Sequence, residues 1–81
     1  MPFKKVAIFF IIIGLEKSQN IIALMDNSEI KAVIPEIQSL TVLSQEIQES
    51  VWADFKELGY EAKMKASETL MIIRFLLSGS Q

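Results

Sequence analysis

The run VAIFFIII, residues 6–13, is wholly apolar and stands between Lys4-Lys5 and a turn-like Gly14-Leu15-Glu16-Lys17. Few arrangements of an 81-residue chain can accommodate it. As an α-helix the run covers about 12 Å at about 1.5 Å per residue, against about 30 Å of bilayer hydrocarbon, so it cannot span a membrane. Two lysines ahead of an apolar run also open a secretory signal. Here, however, Leu15-Glu16-Lys17-Ser18-Gln19-Asn20 follows, with no pair of small residues at the spacing a signal peptidase reads. Propensity alone makes residues 8–13 a strand, because β-branched and aromatic side chains suit a pleated surface. The rest of the chain offers that strand no partner. What remains is a helix buried on several sides.

The other segments carry helical periods with start and stop signals. Asp26 and Glu29 form a D-x-x-E start ahead of Ile30, Val33, Ile34 and Ile37. Ser44 is a second N-cap, ahead of Ile47, Val51, Phe55 and Leu58, and Gly59 closes that helix as its C′ residue. Ser67 caps a last segment that runs from Leu70 to Leu77 and stops at Ser78-Gly79. Between the opening run and Asp26, Ile21, Leu24 and Met25 make one apolar face of a helix headed by Glu16, Lys17 and Gln19.

The pattern predicts an all-α fold, a compact bundle of about five short helices over roughly 3–13, 16–25, 28–39, 45–58 and 68–77, with 60–66 as a connector. No repeat, low-complexity tract or Gly/Pro/Ser linker interrupts it, so residues 1–81 read as one helical domain with short connections. Pro35 falls inside the third helix, where losing its bond to the Lys31 carbonyl costs about 3 kcal/mol if unrelieved. A tolerated kink near the helix end is expected.

Composition removes several function classes. Ten acids against eight bases give a net charge of −2, with no clustered cations for a phosphate backbone, so nucleic acid is not an expected partner. The chain has no cysteine and no histidine, which leaves no disulfide, no thiolate metal site and none of the commonest general base. Glu46, Glu49 and Asp54 alternate with Gln45, Gln48 and Lys56 mostly away from the fourth helix's apolar stripe, as a solvated face does. Without a phosphate loop or a nucleophile beside a base, neither an enzyme nor a cofactor is expected.

The remaining question is where so much apolar surface goes. Residues 6–13 carry no charge and residues 70–77 carry only Arg74, so helices one and five are apolar around most of their circumference. One central helix is the expected use of helix one, but three amphipathic helices cannot fully enclose both. Some of that surface, mainly on helix five and one flank of helix one, is expected to be covered by another polypeptide. Candidate contacts are Phe9, Ile12 and Ile13 on helix one, Ile22 and Met25 on helix two, and Ile73, Phe75 and Leu77 on helix five. Trp52 lies about 100° around helix four from its apolar stripe, at the core rim or at an interface. Met25, Met64 and Met71 are candidate pliable lining.

The order Ile13-Gly14, Glu16-Lys17, Met25-Asp26, Leu40-Thr41, Ser44 and Phe55 to Leu58 resembles the N-terminal domain of the flagellar motor switch protein FliG. The likeness runs through nearly the whole chain, with ASETLMIIRFLLSGS in place of the family's closing helix. Thr41 stands where the family commonly has glycine, and the family's middle and torque domains have no counterpart in these residues. The resemblance implies a rotor scaffold at the cytoplasmic face of the inner membrane, which clasps the cytoplasmic C-terminal helical tail of the ring protein FliF. Its only link to the membrane would then be indirect. Two other uses of the same apolar surface stand beside it. One is pairing with copies of the chain or exchange of a terminal helix. The other is a small peripheral membrane protein unrelated to flagella, although an interfacial helix needs a strongly basic polar face that helix one lacks.

Overall fold

The computed structural model describes residues 2–40 and 44–78. The expected features at Thr41 and Gly79 lie outside the described residues. Five helices follow in order: α1 Pro2–Ile13, α2 Leu15–Ile22, α3 Asn27–Ser39, α4 Gln45–Glu57 and α5 Ala66–Leu77. The described residues form no strand, and the fold is all-α as the apolar periods predict.

Local chemistry sets the helix ends. Gly14 alone separates α1 from α2, with φ 95° and ψ 163°, a backbone region that side-chain-bearing residues essentially do not enter. At α3, Asp26 accepts from the Glu29 N–H at 2.9 Å while the Glu29 carboxylate accepts from the Asp26 N–H at 2.9 Å, a complete capping box. Ser44 caps α4 by accepting from the Ile47 N–H at 3.1 Å. Gly59, at φ 102°, closes it. The Tyr60 N–H donates to the Phe55 carbonyl at 2.9 Å and the Gly59 N–H to the Lys56 carbonyl at 3.0 Å, the bond pair of a Schellman turn.

Two predicted boundaries moved. α5 begins at Ala66, with Lys65 rather than Ser67 at its N-cap; Ser67 is an exposed residue of the first turn. The cause is Glu68, whose carboxylate accepts from the Lys65 N–H at 3.0 Å and so fixes the start one residue before Ala66. α2 stops at Ile22, because Leu24 and Met25 donate back only three residues, to Ile21 and Ile22, and tighten the chain into a turn. That turn buries Met25 and leaves Leu24 half exposed. Pro35 is exposed, as is Lys31 one turn earlier, so the carbonyl freed by the proline lies on the solvent side and the helix continues to Ser39.

α1 is the central helix, packing against each of the other four. Five consecutive residues, Val6, Ala7, Ile8, Phe9 and Phe10, are buried. Phe9 stacks on Phe55 with centroids 3.8 Å apart, and Tyr60 meets Phe9 edge-on at 4.9 Å. The Schellman turn after α4 is what delivers Tyr60 there. α4 runs antiparallel to α1, since Lys5 near the start of α1 pairs with Asp54 late in α4 at 2.8 Å, whereas Ile12 lies beside Gln45 and Trp52. α3 packs against α1, and Leu40 at its end is four residues before Ser44, the N-cap of α4. α5 lies on α1 and α2, and its outer end is tied to α3 by Arg74, which donates to both carboxylate oxygens of Glu29 at 2.8 and 2.9 Å.

Candidate functional site

Burial of α1 uses most of its circumference but not all. Ile11 projects outward with 44% of its surface exposed, and Leu15, one residue past Gly14, keeps 73%. The one-residue hinge at Gly14 sets these two side chains at the mouth of the same groove. Ile22, two turns along α2, and Ile34 and Ile37 on α3 complete its walls above Phe10. The groove has a volume of about 490 Å³ and an overwhelmingly apolar lining.

Only Ser18 and Gln19 bring polar atoms to it. The Ser18 side chain is buried, and its hydroxyl donates to the Leu15 carbonyl of its own helix at 3.0 Å, so it needs nothing from an occupant. Gln19 is exposed and stands at the rim. Such a surface attracts no ion and polarises no bond. It offers apolar side chains a place to leave water, at roughly 25 cal/mol per Å² buried.

A second, shallower apolar face lies elsewhere on the molecule. Met71 and Phe75 on α5 are 70% and 53% exposed, and with Ile72 and Leu58 they frame a hollow of about 270 Å³. The expectation of surplus apolar surface on helix five and one flank of helix one therefore matches the structure.

The residues picked from sequence divide among five places. Phe9, Met25 and Ile73 are buried in the core of the free chain. Ile12 and Trp52 meet at a shallow hollow of about 230 Å³ with Gln45, Gln48 and Glu49. Trp52 is half-buried, edge-on to Tyr60 at 5.6 Å with Lys56 above its ring at 5.8 Å, a rim position. Ile13 borders a small cleft with Lys17, Asn20 and Tyr60, and Leu77 packs half-buried against the core. Of the nine, Ile22 alone lines the large groove, and Phe75 alone belongs to the α5 hollow. Met71 joins Phe75 there, while Met64 borders the small cleft and Met25 is core.

Sequence reasoning missed Ile11, Leu15, Ile34 and Ile37 as groove residues. Leu15 carried a signal, because an isolated leucine beside Gly14 and ahead of Glu16-Lys17 has no helical partner on the predicted apolar face of α2. Ile34 and Ile37 belong to the apolar period of α3, and that period does not reveal that they line a groove with α1 and α2.

Electrostatics concentrates at one end of α3. The Arg74 guanidinium holds the Glu29 carboxyl below its ordinary range, and the Glu29 backbone N–H together with the Ser28 hydroxyl does the same for Asp26. Burial pushes the Tyr60 phenol up. Among the described residues no group of three or more acidic, histidine or cysteine side chains is placed to hold a metal ion, and no helix is long and apolar enough to cross a membrane.

Compared with known proteins, the chain matches one family model, described as the FliG N-terminal domain, over residues 2–80. No curated protein and no solved structure matches it.

Proposed function

From the premise that this chain belongs to the FliG N-terminal domain family, a domain of the flagellar motor switch, we propose that it is a non-catalytic docking domain of the rotor. Its groove receives the cytoplasmic C-terminal tail of a FliF-like ring protein as an amphipathic helix. Residues 1–81 act in this reading as one domain, at the cytoplasmic face of the inner membrane, joined to the membrane only through that partner.

The observation that carries the proposal is the groove between α1, α2 and α3, with Ile11 and Leu15 exposed at its mouth. A tail disordered when free loses about 2–5 kcal/mol or more on ordering, which burial of its apolar face in such a groove offsets. A lipid-facing use of α1 has less support, because five of its residues in a row are already enclosed by the chain's own helices.

Calorimetric titration with a synthetic peptide of the tail tests the proposal. Ile11→Glu and Leu15→Glu place a charge on an exposed side chain without touching the core, so both variants should keep the parent far-ultraviolet spectrum. Each should lose at least tenfold in affinity. Unchanged affinity in both variants, or no heat of binding with the parent chain, contradicts it.

The α5 hollow favours a second contact, with a neighbouring copy of the chain, through Met71 and Phe75. Sedimentation equilibrium separates the two surfaces. Phe75→Glu should weaken self-association and leave the tail affinity unchanged.

A further inference from the structure

None of the side chains lining the groove is charged, so discrimination within it falls to its two polar side chains. They are not equivalent. Ser18 is buried, and its hydroxyl proton is committed to the Leu15 carbonyl at 3.0 Å. Gln19 is exposed, and among the described residues its side-chain amide, with two donors and an acceptor, makes no hydrogen bond within the chain.

The place of that amide matters as much as its freedom. Leu15, Gln19 and Ile22 stand within about 60° of one another around α2, with Gln19 about 6 Å beyond Leu15 and about 4.5 Å short of Ile22 along the axis. All three line the groove. The α2 wall therefore reads apolar, amide, apolar, and the α1 and α3 walls oppose it with the hydrocarbon of Phe10, Ile11, Ile34 and Ile37 alone.

In the free chain water satisfies the amide. A helix laid along the groove strips that water, and a polar group covered without a new partner loses more than a well-made hydrogen bond gains. Aliphatic anchors do not by themselves define a register, because they fit almost as well after a slip of one turn. One polar side chain in an otherwise apolar seam between helices does define it, at some cost in stability. We infer that Gln19 sets the register of the docked helix: its amide pairs with one uncharged hydrogen-bonding side chain, a serine, threonine, asparagine or glutamine, that lies between the aliphatic anchors on the apolar face of the occupant. This rests on the reading of the groove as the docking site for the ring protein's tail, and the test separates the two.

Each uncharged polar residue of the tail peptide is changed in turn to alanine, and affinity for the parent chain, Gln19→Leu and Ile11→Glu is measured by fluorescence anisotropy. Leucine at this exposed position of α2 keeps the helix propensity of glutamine, so the far-ultraviolet spectrum should match the parent's. One of the peptide changes should weaken binding to the parent about 3- to 10-fold and alter binding to Gln19→Leu by less than about 2-fold. A spin label at one end of the unmodified peptide should broaden the amides of a longer stretch of α2 in Gln19→Leu than in the parent, because the docked helix then slips along the groove.

If Ile11→Glu abolishes binding while no peptide change distinguishes the parent from Gln19→Leu, or while the label broadens the same amides in both, the register reading is overturned and the groove reading stands. A tail with no uncharged polar residue on its apolar face overturns it equally. If Ile11→Glu binds as tightly as the parent, the groove reading falls and the register reading with it.

Discussion

Phe9 and Gly14 carry different parts of the structure, and each has its own measurable consequence. Phe9 is fully buried between the Phe55 face and the Tyr60 edge, so Phe9→Ala removes an aromatic side chain from the centre of the fold. It should cost about 3–5 kcal/mol in urea unfolding. That is a large share of what so short a chain has to spend, and the variant should be partly unfolded at 37 °C. Gly14 is required for its backbone rather than for space, since a Cβ there would meet nothing within 4 Å. Gly14→Ala should therefore cost about 1–3 kcal/mol through strain alone. It should also weaken tail binding, because Leu15 is aimed into the groove by that one residue. A loss of less than 0.5 kcal/mol, on the order expected of an ordinary surface change, contradicts the strain argument.

At the scale of elements, α5 is held to the start of α3 by the Arg74–Glu29 pair and lies on α1 and α2 through Leu70 and Ile73. Glu29 and Asp26 both titrate below their ordinary values of 4.5 and 3.8 in the folded chain. A carboxylate depressed on folding contributes stability that is full above its unfolded pKa and is lost as pH falls through the folded one. Thermal melting should therefore be flat with respect to these groups near pH 6–7 and fall below about pH 4.5. Arg74→Met should lower melting near pH 7 and shallow that acid limb together, so that variant and parent converge as the carboxyl protonates. An acid limb identical to the parent's would show that the latch contributes no pH dependence. Ser44→Ala, which leaves the Ile47 N–H without its cap, should cost about 0.5–2 kcal/mol.

Much at this scale was legible in the sequence. D-x-x-E before α3, Ser44 before α4 and Gly59 after it each have one strong chemical partner a fixed number of residues away. Ser67 misled because Glu68 serves as a reach-back acceptor from a helix that starts at Ala66, a role as compatible with a cap at Lys65 as with none. Arg74 stood out as the lone charge between Leu70 and Leu77, but its partner 45 residues earlier is a property of packing and leaves no local trace.

For the molecule as a whole, the sequence showed that a chain this size carries more apolar helix than it can enclose, and it showed the helix that takes the centre. It did not show which faces remain outside. Phe9, Met25 and Ile73 share their chemistry with Ile11, Leu15 and Ile34; which of them meet solvent depends on the angle at which α2 leaves Gly14, and residue type does not encode that angle. The surplus consequently appears as a groove among α1, α2 and α3 with a separate hollow on α5, where the sequence reading expected it mainly on helix five and one flank of helix one.

The central claim is that the groove between α1, α2 and α3 is where the ring protein's tail docks. Its most direct measurement is a nitrogen–proton correlation spectrum of the labelled chain titrated with the unlabelled tail peptide. The predicted result is that the largest amide shifts, and new exchange protection, fall on Ile11, Leu15, Gln19, Ile22, Ile34 and Ile37, with the amides around Met71 and Phe75 little changed. Shifts confined to α4 and α5, with those six amides unmoved at saturation, would contradict it.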